Sequence, residues 1–332
     1  MSELSGVQQA TLAERSDVSW APADRRRVLQ LALAAVWFLD AALQLQPFMF
    51  SRSFGLLMLG PTAQGNPGVI AHPITDIGRS IGQHSVGFDT AFLIIQFALA
   101  FGIAYRPTVR LALVGSVVWS LMVWWFGEGL GGVLTGAASP VNGAPGAVLL
   151  YAVLAVLLWP TDPSRDDGPF TAARPLGTRA AQAIWVAVWV SLAGFALFES
   201  STRHPSSLLS GQAAGEPGWL GAIDRHAADL VAGRGWLFAA VLGAVLVAIA
   251  LGVFLPDAPG RALIALAIVV AIVIWVVGED FGQIFTGAAT DPNSGPLLVL
   301  LAVAYWPIRQ KAPGVSRTGS TSTGSASTVR AA

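Results

Sequence analysis

Eight apolar runs limit what this chain can become. They fall near 28–50, 88–105, 109–126, 146–160, 183–199, 235–255, 262–278 and 296–308. A helix needs roughly 20 residues to cross about 30 Å of hydrocarbon. Six runs approach that length; the fourth and eighth stop at roughly 13–15 residues, each closing on Trp-Pro (Trp159-Pro160, Trp306-Pro307). Tryptophan favours the membrane interface, and proline discourages continuation of a helix. Only 11% of the residues are charged, against about 25% in a soluble domain. The expectation is an all-α polytopic membrane protein with about eight transmembrane helices in two parallel four-helix repeats, some segments being re-entrant or interfacial.

Basic residues suggest the orientation. With the N-terminus inside, 14 of the 19 Lys and Arg residues fall on predicted cytoplasmic segments and 5 on the outer side. Both termini are therefore expected in the cytoplasm of a bacterial-type plasma membrane. The predicted organisation is a cytoplasmic segment 1–27, a first membrane repeat 28–160, a linker 161–182, a second repeat 183–308 and a disordered, Ser/Thr/Gly-rich tail 309–332. No removed signal peptide is expected, because no small-residue cleavage site follows a short apolar stretch. The net charge is zero and no Lys/Arg cluster forms a nucleic-acid footprint. The absence of Cys excludes disulfides and Cys-held haem or iron–sulfur groups.

Duplication is the second strong signal. Residues 127–145 read GEGLGGVLTGAASPVNGAP, and residues 278–296 read GEDFGQIFTGAATDPNSGP. Both contain G-E-x-x-G-x-x-x-T-G-A-A, 151 residues apart. Self-similarity at that spacing indicates two copies of one unit. On a continuous helix, Glu128, Gly131 and Thr135 would share a face, as would Glu279, Gly282 and Thr286. Small residues there permit close approach of a helix or ligand. A dipping segment would leave the N–H groups of the next helix near Asn142 and Asn293. Glu128, Thr135, Asn142, Glu279, Thr286 and Asn293 are therefore candidate substrate- or ion-binding residues. The bland alternative is that the two glutamates end their spans at headgroup level.

Asp40 joins this set. It lies inside the first apolar run, with Gln30, Trp37 and Gln44 on the same broad face. A carboxylate facing lipid costs several kcal/mol, so that face should be interior. The tripeptide AVW at 35–37 recurs at 187–189, and in that register Asp40 meets Leu192. Asp89 and Glu199, at span ends, read as interfacial.

The four histidines, His72, His84, His204 and His226, fall in the predicted outer loops 51–87 and 200–234. His72, Asp76, His84 and His226 could combine as a zinc or copper site after folding, though no spacing is specific. A haem is weaker still, and the cofactor is left open. Pro73 suggests a helix starting at His72 or Pro73. Loop stretches 74–81 and 220–230 are short and amphipathic, suited to an interface or a cap.

No nucleotide-binding GxxxxGKS/T, HExxH, GxSxG or CxxCH motif occurs. The favoured expectation is a gradient-driven transporter or channel for a small solute or cation, and enzyme activity is disfavoured. The alternatives are a membrane assembly or structural subunit, and an outer-face metal-binding or electron-transfer protein. Expected partners are membrane lipids, a small solute or cation, and a membrane protein partner.

Overall fold

The computed structural model describes residues 24–161, 168–202, 205–212 and 216–308. The expectations for segment 1–23, for linker residues 162–167 and for the tail at 309–332 lie outside the described residues. Within them the chain is helical, without a strand. The main helices are α1 (Arg25–Leu43), α2 (Gly68–Gln83), α3 (Ser85–Ala104), α4 (Val109–Phe126), α5 (Ala147–Leu157), α6 (Thr178–Thr202), α7 (Pro205–Gln212), α8 (Gly218–Val231), α9 (Gly235–Gly252), α10 (Asp257–Val273) and α11 (Ser294–Ala304).

Five stretches are long and apolar enough to cross a membrane: Ser85–Ala104, Arg106–Phe126, Thr178–Phe198, Gly235–Gly252 and Ala258–Gly278. This is the composition of an integral membrane protein. α1 has 19 residues but carries Arg25, Arg26, Arg27 and Asp40, which dilute its apolar character. It starts where the Asp24 side chain accepts from the Arg26 N–H (3.1 Å), as an N-cap does. It stops at Leu43, short of the apolar run's end at 50, and turns follow. Pro47 has no N–H to donate and disfavours a helical residue before it.

The burial pattern shows which helices make the core. Only 28–33% of the residues in the five long apolar stretches are buried. In contrast, α5 buries Ala147, Val148, Leu150, Tyr151, Ala152, Leu154, Ala155 and Leu157. α11 likewise buries eight of its eleven residues. The long helices thus turn apolar faces outward, while the two short ones pack against each other inside. At about 1.5 Å per residue, eleven residues span only about 16 Å. Around them lie Trp37, Trp185, Trp189, Tyr151 and Tyr305, all fully buried. Trp37 Nε1 donates to Ser116 Oγ (3.1 Å), and Trp185 Nε1 to the Ile249 carbonyl (3.0 Å). These bonds let two of the three indoles enter an apolar core without orphaning their N–H groups; Trp189 Nε1 meets no partner among the described residues.

Several local expectations are corrected. α2 begins at Gly68, so Pro73 sits inside the helix instead of at its start. Stretch 74–81 lies within α2, and 220–230 within α8. Asp89, at the start of α3, is fully buried within the protein; the Glu199 side chain lies outside the described residues. The largest correction concerns the GExxG segments. α4 ends at Phe126, and Leu130, Gly131 and Gly132 all have positive φ (59°, 61°, 71°). Phe281 and Gly282 do the same in the second copy (56° and 71°). The chain leaves the helix, so Glu128, Gly131 and Thr135 share no helical face, and neither do Glu279, Gly282 and Thr286. Glycine is needed at 131 because a Cβ there would run into the Pro145 carbonyl.

Candidate functional site

Each glutamate sits at the joint between a long helix and a short one. Glu128 Oε1 accepts from the Val148 N–H (3.2 Å) in the first turn of α5. Glu279 Oε2 accepts from the Gly295 N–H (2.9 Å), and Glu279 Oε1 from Ser294 Oγ, in the first turn of α11. The first N–H groups of a helix have no partner within it, and its N-terminus carries about half a positive charge. The two carboxylates answer both needs. The joint is tied a second time by tryptophan. Trp124 Nε1 donates to the Pro145 carbonyl (2.6 Å), and Trp275 Nε1 to the Pro292 carbonyl (2.7 Å).

These bonds also correct the pairing of the asparagines. Glu128 and Glu279 are 151 residues apart, but the prolines held by the tryptophans, and the starts of α5 and α11, are 147 apart. The first loop is four residues longer. Asn142 therefore lies in an extra turn, Pro140–Asn142. Its Oδ1 accepts from the Ser139 N–H (3.0 Å), and its Nδ2 donates to the Ala137 carbonyl (3.1 Å). Asn293, by contrast, is the residue before α11, with φ 64° and Oδ1 accepting from the Ser294 N–H (2.8 Å). Its structural counterpart is Gly146, also at positive φ; asparagine is among the few residues that tolerate this region.

Thr135 and Thr286 close loops. Thr135 Oγ1 donates to the Gly132 carbonyl (3.0 Å), and Thr286 Oγ1 to the Gln283 carbonyl (2.8 Å). Neither lines a cavity described below, so the expectation that they bind a ligand gains no contact from the structure.

Between the two joints lies a cavity of about 420 Å³. Glu128, Asn142, Glu279, Asp291 and Asn293 line it, with Gly131, Gly132, Gly143, Gly146 and Gly282 supplying bare backbone. The two loops touch: a Cβ on Gly143 would strike the Asn293 side chain. A second cavity of about 400 Å³ shares Met58, Glu128, Thr290 and Asp291 with the first. It is lined by Asp40, Gln44, Gln96 and Tyr151 and by aromatic side chains. Among the described residues, no Lys, Arg or His lines either cavity. Asp40 is thus brought to Glu128, and Gln30, Trp37, Asp40 and Gln44 are all buried.

Sequence reasoning missed three residues here. Asp291 lies where the cavities meet, held by Thr290 Oγ1 (2.8 Å) and the Asn293 N–H (2.7 Å). Asp224 and Asp280 form a separate pair, fully buried, whose four oxygens meet no N–H or O–H donor among the described residues. Burial pushes the Asp280 carboxyl up to about 7, and the facing Asp224 and nearby Glu216 add to it. Burial also raises Asp224, against the pull of Asp280 and Arg225, and it raises Glu216. The signal for Asp224 was present: it falls in the apolar stripe Leu220–Asp224–Ala228–Val231 of α8. Asp280 replaces Gly129 of the first copy.

The described histidines, His72, His84 and His226, do not gather into a metal site, and His204 lies outside the described residues. Among the described residues, no three His, Cys, Asp or Glu side chains form a group able to hold a metal. His72 lies in α2, His226 in α8, and His84 between α2 and α3. Asp76 instead pairs with Arg79 (3.3 Å) at the surface. The four-residue metal site expected from sequence is not assembled. No family model, no curated protein and no solved structure matches the chain.

Proposed function

We propose that this protein is a gradient-driven membrane transporter or channel for a small solute or cation. The observation that carries the reading is the acidic cavity between the starts of α5 and α11. Its donors from those helices are already taken by Glu128 and Glu279, and Asp291 adds a third carboxyl without a basic neighbour on the wall. Such a site favours a cation over an anion.

Helix length limits how far α5 and α11 cross. Trp159-Pro160 and Trp306-Pro307 follow α5 and α11 closely, and tryptophan anchors at the interface. Eleven residues reach about half of a 30 Å core, so α5 and α11 cross only part of it. Their starts lie beside the ends of the long stretches Arg106–Phe126 and Ala258–Gly278, where Glu128 and Glu279 follow. Irregular backbone within the core is tolerated where protein covers it or a cavity wets it. In this reading α1 is a further crossing, and α5 and α11 are half-crossings. Stretches 28–160 and 183–308 are then two parallel copies about an axis along the membrane normal. Broken helices meeting at a repeat interface are a recurring transporter design. Both termini are cytoplasmic in this arrangement, by the distribution of basic residues.

The test is electrical. The purified protein is reconstituted in liposomes, and currents are recorded on a supported membrane after jumps in protons, sodium, potassium or small ammonium ions. A saturable current for one of them, lost in Glu128→Gln/Glu279→Gln, supports the proposal. Currents no larger than those of empty liposomes for every ion would refute it and favour an assembly role.

A further inference from the structure

The second cavity names a class of solute. Four of its polar lining atoms, Asp40 Oδ1, Gln44 Oε1, Gln96 Oε1 and Glu128 Oε2, are buried and meet no hydrogen-bond donor among the described residues. Asp40, Gln44 and Gln96 are each more than nine-tenths buried (2%, 4% and 7% exposed). A buried acceptor left without a donor costs about 1–3 kcal/mol. Two of the four belong to carboxylates, which can only accept when ionised. The lining also holds donors: Trp119 Nε1 and the Tyr151 hydroxyl, both buried without a partner among the described residues, and the amide N–H groups of Gln44 and Gln96. What it lacks is a cation, because no Lys, Arg or His among the described residues lines it to face the carboxylates of Asp40, Glu128 and Asp291.

Aromatic side chains complete the lining. Among them are Phe88, Phe92 and Trp119, with Phe92 and Trp119 ring centroids 5.5 Å apart and tilted by 57°. Ring faces attract a cation and pack against an apolar body. A hydrated inorganic ion would use neither property. A protonated amine with an aromatic or aliphatic body uses both: its N–H groups fill the acceptors, and its body fills the aromatic half. The cavity, at about 400 Å³, is within the range of small-molecule sites.

Apart from Thr290 and Asp291, the lining comes from the first half of the sequence. In the AVW register Asp40 meets Leu192, and counted from the starts of α5 and α11 Tyr151 meets Leu298. Both leucines are buried. Apolar side chains stand in the second half where the first has an acid and a hydroxyl.

We infer that the cavity formed by Asp40, Gln44, Gln96 and the Phe92–Trp119 wall binds an organic ammonium ion with an apolar body. This deepens the transport reading and rests on it, since the solute would pass to the acidic cavity across the shared Glu128 and Asp291. The full-length protein in detergent is titrated calorimetrically with 2-phenylethylammonium, with 2-phenylethanol and with phenylacetate. The ammonium ion is expected to bind at least tenfold more tightly than the alcohol, and the carboxylate not to bind. Asp40→Asn should remove most of that preference, and Asp76→Asn should leave it intact. Should Asp40→Asn fail to fold, Asp40→Leu, which copies the second half, replaces it. The wild-type comparison of the three heads needs no variant. Equal binding of ammonium and alcohol, or no binding of either, overturns the inference. Uptake of labelled 2-phenylethylammonium into liposomes separates the two proposals. Binding without uptake keeps the site and sinks transport. Flux of another ion without ammonium binding sinks the site and keeps transport.

Discussion

The Asp224–Asp280 pair gives the most quantitative prediction. A carboxyl held at a raised value binds its proton more tightly in the folded chain than in the unfolded one. Its contribution to stability is therefore full below the unfolded value of 3.8, and it is lost as pH rises through about 7. A change of roughly 3 pH units at 1.36 kcal/mol each would be about 4 kcal/mol for one isolated group. Asp224 shares the proton, so about half, ~2 kcal/mol, is a fair expectation for Asp280. At about 2 °C per kcal/mol for a chain above 150 residues, that is roughly 4 °C. The assay is thermal unfolding in detergent, followed by tryptophan fluorescence, at half-unit steps from about pH 4 to about pH 8. The wild type should lose stability as pH rises. Asp280→Asn should lose about 4 °C less between the two ends, because its amide donates to Asp224 at every pH. It should be the more stable protein at pH 8. Asp224→Asn should behave alike. Asp76→Asn, whose side chain is 71% exposed, should follow the wild type. An unchanged pH slope in both Asp224→Asn and Asp280→Asn would refute the reasoning, since other acids would then carry the whole effect.

Three further predictions concern the joints. Glu279→Ala removes the partner of two buried donors, Glu128→Ala of one. Chemical unfolding should show a loss of about 3–5 kcal/mol for the first and about 1–3 for the second, and equal losses would contradict the capping roles. Gly131→Ala drives a methyl into the Pro145 carbonyl at positive φ and should cost about 3 kcal/mol or more. Gly177→Ala, at φ 83° and ψ 160° with open space around it, meets backbone strain alone and should cost about 1–3 kcal/mol; expression and melting temperature separate the two. Trp275→Phe loses one hydrogen bond to the Pro292 carbonyl and should cost about 1–3 kcal/mol in the same unfolding assay.

The sequence made some of this architecture readable and hid the rest, for identifiable reasons. Long apolar runs announce membrane helices because lipid leaves few alternatives, and the five stretches follow them closely. The fourth and eighth runs were visibly short, yet nothing in their composition said that they would be the buried core. Both are apolar all round, and such a helix fits lipid and protein interior equally. The repeated glutamates drew attention correctly, but their setting was misread. G-E-x-x-G has helical spacing, and only the run Leu130–Gly131–Gly132 at positive φ shows that the helix has ended. Asn142 and Asn293 fall in the same frame on the page, and a four-residue difference in loop length separates them in space. Asp40 was recognisable as a charge inside an apolar run. Asp224 could have been found the same way, as an acid in the apolar stripe of α8. Asp291 could not, since it stands among ordinary turn residues in T-D-P-N. Its importance comes only from the cavities that meet beside it.

The central claim is that cations move through the acidic cavity between the starts of α5 and α11. Supported-membrane current measurements on reconstituted wild type and Glu128→Gln/Glu279→Gln, with matched protein content and matched melting temperature, test it most directly. The account predicts a saturable, cation-dependent current in the wild type and at least a tenfold smaller one in the double variant. A current unaffected by the double variant, or none above empty liposomes in the wild type, would contradict it.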